Sequence, residues 1–122
     1  MRNCVVVVWL GLIVGCDEGV GDQASEAFEA RECPPDSLLT YENFGEQLML
    51  DHCTGCHGDA VAQGDRQGAP VDVNLTTHAQ VHDWLELVYE RSADDNTSMP
   101  VVDNMDPDDR YRLGDWLACG AP

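Results

Sequence analysis

The sequence predicts an all-α fold. Three observations lead there. Three segments, at residues 41–52, 77–91 and 106–118, repeat apolar side chains at helical spacing. Each opens on a residue suited to cap a helix. Almost nothing alternates apolar and polar side chains as a half-buried strand would. At 122 residues the chain has room for one small domain.

In chain order, Met1-Arg2-Asn3 is a short basic start and residues 4–14 are almost wholly apolar. That stretch is too short and too N-terminal for a spanning helix. It ends in Ile13-Val14-Gly15-Cys16, which resembles the lipobox of a bacterial lipoprotein signal. The resemblance implies a signal peptide at 1–15, cleavage before Cys16 and a diacylglyceryl thioether on its sulfur. It implies an exported protein, anchored to a bacterial membrane and facing the periplasm or the cell exterior. Residues 16–33, with Gly19, Gly21, many acids and few large apolar groups, read as a flexible acidic tether. Cys33-Pro34-Pro35 stiffens its end, and the domain is expected at 34–122.

Thr40 is the expected cap of the first helix, whose apolar side is Tyr41, Phe44, Leu48 and Met49. A loop at 58–74 follows, with Gly64, Gly68 and Pro70. Thr77 caps the second helix, with Val81, Trp84, Leu85 and Val88 on one face and Arg91 near its C-terminal end, where a cation suits the dipole. Residues 92–105 are polar and irregular. Asp106-Pro107-Asp108-Asp109 is a strong helix start, with a cap, proline at the first position and acids in the first turn. Leu113, Trp116 and Leu117 form the buried side of this last helix, which Gly120 and Pro122 stop. Three helices and two working loops result.

The charge is −17 with no lysine. The expected mature chain keeps all 23 acidic residues and five of the six arginines. Such a surface repels nucleic acid and anionic headgroups, and suits a basic partner or simple solubility.

Chemistry concentrates in Cys53-Thr54-Gly55-Cys56-His57. C-x-x-C-H is the attachment signal for c-type haem. Two thiols at this spacing reach the two vinyl groups of a porphyrin and form thioethers, and the histidine ligates the iron from one face. The competing readings are a zinc site and a redox dithiol. Zinc wants more ligands, and His78 with His82 completes a conceivable Cys53/Cys56/His78/His82 set. The dithiol expects a βαβ context that the pattern does not supply. Of the remaining cysteines, Cys4 leaves with the signal and Cys16 takes lipid. Cys33 and Cys119 are left to pair in an oxidising compartment.

These features resemble a class I, mono-haem cytochrome c over residues 34–122. Gly45 lies eight residues before Cys53 on the first helix, and the last helix carries Leu113, Trp116 and Leu117. In the family a glycine so placed lets the first and last helices cross closely, and Met49 stands where an aromatic is common. Gly68-Ala69-Pro70 resembles the loop whose proline carbonyl accepts the Nδ1 proton of the haem histidine. Met99-Pro100 matches the usual form of the sixth ligand, with Met105 as its rival. The resemblance implies a small fold of three or so helices wrapped around one covalent haem c, with iron held by His57 and Met99. Candidate pocket walls are Leu75, Val81, Leu85, Val88 and Leu113. Trp84 reads as a core residue, with a propionate contact as the alternative. His52, His78 and His82 read as surface histidines. The absence of lysine departs from the docking ring of many members.

The expected function is one-electron transfer between membrane-associated redox partners that carry basic docking patches, by a monomer and without catalysis. The alternatives are a haem peroxidase or gas sensor with an open sixth position, and a zinc-binding structural lipoprotein.

Overall fold

The computed structural model describes residues 22–122 apart from residue 103. The expected signal peptide, Cys16 and the start of the expected tether lie outside the described residues. Among the described residues the fold is all-α, without a strand. None of its helices is long and apolar enough to cross a membrane.

The first element corrects the tether. Helix α1, Asp22–Ala30, forms where the sequence predicts flexible chain. Long-range contacts from two side chains hold it. Phe28 packs on Tyr89 with ring centroids 5.1 Å apart. Arg31, just beyond the helix, bridges Asp94 at 3.1 Å and Asp115 at 2.7 Å. One aromatic side chain and one arginine anchor a segment whose own composition is too polar to bury itself.

The three predicted helical segments start where their caps place them. Thr40 and Asn43 form a reciprocal capping box. They open a π-helical turn, Tyr41–Gly45, that runs into α2, Glu46–His52. A short α3, Thr54–His57, follows directly. Thr77 and Gln80 repeat the capping box ahead of α4, His78–Asp83. The predicted single helix over 77–91 is divided at Trp84, and α5 is Leu85–Ser92. Asp106 caps α6, Pro107–Ala118, through the Asp108 amide at 2.9 Å.

The core joins the start of the domain to its end. Trp116, Leu113 and Leu117 are fully buried with Met49 and Val81. Phe44 meets Trp116 edge-on at 6.0 Å. Gly45 lies under that indole, and a Cβ there would overlap the ring. Its φ of −60° is ordinary helix, so the reason for glycine is space alone. The Tyr41 amide donates to the Pro122 carbonyl, and a Cys33–Cys119 disulfide ties the same two ends across 86 residues of sequence. Closing a loop of that length stabilises by about 4–5 kcal/mol in the chain-entropy account.

On the far side, α1, α5 and α6 meet at Asp94. Its carboxylate accepts from Arg31 and, at 2.8 Å, from the Tyr89 hydroxyl. A Cβ on Gly114 of α6 would strike that carboxylate.

Two outcomes test this packing. Gly45→Ala should destabilise the fold by about 1–3 kcal/mol, read as a lower thermal midpoint, because the buried indole has no room to withdraw. Burial, with the bond to Asp94 and its charge, pushes the Tyr89 phenol up to about 12. The folded state therefore holds this proton after the unfolded chain has begun to lose it near the ordinary value of 10. Stability from this group is complete below about pH 10 and is lost as pH rises toward 12. Tyr89→Phe should flatten that alkaline loss in urea titrations.

Candidate functional site

The C-x-x-C-H motif sits at the joint between α2 and α3. The Cys53 amide closes α2 on the Met49 carbonyl at 2.9 Å, and the His57 amide donates to the Cys53 carbonyl at 2.8 Å. One helical turn thus separates Cys53 from His57 and places both on one wall of a cavity of about 270 Å³, with Cys56 beside them. Cys53 and Cys56 are outside any disulfide. Burial pushes the Cys53 thiol up to about 12, so it rests protonated.

His57 is oriented by a backbone carbonyl, and here the structure corrects the sequence reading. Its Nδ1 donates to the Val73 carbonyl at 3.0 Å, not to that of Pro70. The Pro70 carbonyl accepts instead from Arg66 at 2.8 Å. The chain turns after Pro70, with the Val73 amide bonded back to Pro70, and this turn delivers the later carbonyl to the imidazole. Pro70 still lines the cavity. With Nδ1 committed, Nε2 is the nitrogen left to ligate a metal.

Arg66 is one of two buried arginines that sequence reasoning missed. It is 2% exposed, in a chain where most charge is on the surface. Its guanidinium donates to Gly58 at 2.7 Å, to Pro70 at 2.8 Å and to the same Val73 carbonyl at 2.8 Å, with a longer bond to Ala69. The loop after the motif is wrapped around this one cation.

The loop bearing Met99 is built the same way. Arg110 of α6, 6% exposed, donates from one nitrogen to the carbonyls of Ser92, Asn96 and Met99 at 2.8–3.0 Å. The Met99 amide donates to the Arg91 carbonyl at 2.8 Å, and the Met99–Pro100 peptide is cis. Met99 lines the cavity that holds Cys53, Cys56 and His57. Met105 does not line it, being buried in the core at 3% exposure.

The expected walls divide. Leu75 and Val88 line the cavity, whereas Val81, Leu85 and Leu113 pack in or against the core away from it. Trp84, half-buried, contributes to the lining, with Leu87 of α5. His52 and Arg91 also reach the cavity, so His52 is more than a surface histidine. Val101 and Val102 form a rim that is 63% and 69% exposed.

No protein-family model, curated protein or solved structure matches this chain. The chemistry of the site therefore rests on its own donors. Two unpaired thiols, an imidazole with a free Nε2 and a thioether share one mostly apolar cavity. That set fits a covalently attached haem. It does not form the four-ligand zinc site, because His78 and His82 turn to the Ala121 carbonyl. No group of three or more His, Cys, Asp or Glu side chains among the described residues is placed to hold a metal ion.

Removing Arg66 should expose its role in the loop. Arg66→Ala leaves buried carbonyls without donors and should lower stability by about 3 kcal/mol in urea unfolding. Arg112→Ala, at an exposed pair with Asp109, should change it by about 1 kcal/mol or less.

Proposed function

We propose that this chain is a lipid-tethered, mono-haem c-type cytochrome that carries single electrons between membrane-associated redox partners. The observation that carries the reading is the meeting of Cys53, Cys56, His57 and Met99 in one cavity, from segments more than forty positions apart. Cys53 and Cys56 would hold the porphyrin as thioethers, and His57 and Met99 would ligate its iron. The haem would supply a one-electron couple.

The protein's own residues do the rest. Val73 holds the His57 ring through Nδ1 and raises its basicity. Arg66 shares that carbonyl and draws density from it, which moderates the effect. Arg110 fixes the backbone that presents Met99. Leu75, Leu87 and Val88 keep water from the cavity, which favours the less charged iron state. Arg91 brings a cation suited to the carboxylates of a porphyrin. The acidic surface suits a partner with a basic docking patch and salt-sensitive association. Tethering through Cys16 would raise the carrier's effective concentration near membrane-bound partners. A second reading, a peroxide- or gas-binding haem protein, draws on His52 and Arg91, which both line the cavity.

Expression in a host competent for c-type haem attachment decides among these. The carrier should hold haem through denaturation and show the Met–Fe(III) charge-transfer band. Met99→Ala should abolish that band and Met105→Ala should keep it, while a band surviving in Met99→Ala moves the ligand to Met105. A high-spin ferric spectrum that responds to peroxide supports the second reading. A colourless protein carrying zinc overturns both.

A further inference from the structure

His78 and His82 lie one turn apart on α4, and their ring nitrogens converge on the C-terminal segment. His78 Nε2 is 2.7 Å from the Ala121 carbonyl oxygen, His82 Nε2 is 3.0 Å from the same oxygen, and the two nitrogens are 3.1 Å apart. Three electron-pair donors thus form a triangle with three short edges.

Protons alone do not satisfy this triangle. A carbonyl oxygen only accepts, and a neutral imidazole Nε2 carries one proton or none. If both histidines donate to Ala121, two N–H groups face each other across the remaining edge. If one histidine donates, the other presses a bare lone pair against the carbonyl oxygen. One positive centre inside the triangle satisfies all three atoms together.

The dimensions select the centre. A cation 2.0–2.2 Å from three ligands at right angles sets those ligands about 2.8–3.1 Å apart, whereas tetrahedral angles spread them to about 3.3–3.6 Å. Two of the observed edges, 3.0 and 3.1 Å, fall in the right-angled range, and the third, 2.7 Å, lies just below it and far from the tetrahedral one. Imidazole and carbonyl ligands in that geometry suit Ni(II) or Cu(II). Tyr41 stacks on His78 with centroids 4.5 Å apart and helps hold that ring in place. His82 is exposed, which leaves room for water to complete the coordination. The charge of −17 favours any cation at the surface.

We propose that His78 Nε2, His82 Nε2 and the Ala121 carbonyl form a surface site for one divalent transition-metal ion that prefers right-angled ligands. The site is separate from the cavity of Cys53 and His57 and does not depend on haem. A bound ion would staple α4 to the end of the domain, where the Pro122 carbonyl already accepts from the Tyr41 amide.

Calorimetric titration of the untagged full chain with Ni(II) tests this. The wild type should bind one ion at this site and gain thermal stability with rising Ni(II). His82→Gln and His78→Gln should each weaken that binding at least tenfold and remove the stabilisation. Binding at Cys53 and Cys56 is common to all three proteins and cancels in the comparison. His82→Gln changes an exposed side chain, so its fold, checked by circular dichroism, keeps the comparison valid even if His78→Gln unfolds. The proposal fails if folded His82→Gln titrates as the wild type does, or if the wild type binds no Ni(II).

Discussion

A guanidinium taken out of water must be surrounded by acceptors. That requirement shapes both loops of the cavity. Arg66 finds its acceptors in the carbonyls of the loop after the motif, and Arg110 finds its own in the loop before α6. Neither loop has a sheet or a long helix to define its path. Each is instead gathered around a buried cation; the first presents the Val73 carbonyl that orients His57 of α3, and the second carries Met99. His57 and Met99 face a common space because two arginines fix the backbone on either side of it.

The ends of the domain solve a different problem. The turn leading into α2 must pack against α6, and it does so through a space that only glycine leaves open at position 45. The disulfide and the Tyr41–Pro122 bond then hold the first and last segments together without relying on side-chain fit. A small domain with a modest apolar core gains most from such long-range ties.

What the sequence disclosed follows the range of the forces involved. Helix starts were legible because capping is local: Thr40 with Asn43, Thr77 with Gln80, and Asp106 with Asp108 act within three residues. The four cavity donors were legible because the motif and the Met-Pro pair name their own chemistry, and the Cys33–Cys119 bridge followed from counting thiols. Helix α1 was not legible, since its stability lies in Phe28 meeting Tyr89 and Arg31 meeting Asp94 and Asp115, far along the chain. The exchange of Pro70 for Val73 at His57 was not legible either. A carbonyl belongs to every residue and leaves no mark in the sequence. Arg66 and Arg110 looked like any surface arginine until their burial showed otherwise.

Loops held by their carbonyls also have an evolutionary property. Because the arginines grip backbone, the exposed side chains along residues 58–74 and 92–105 that take no part in the cavity or the core can be exchanged while the path of the chain stays the same. A lineage can rewrite those exposed letters and keep the cavity, provided the two guanidiniums, Asp94 and the cavity side chains persist. Divergence of this kind erases sequence kinship faster than it erases architecture.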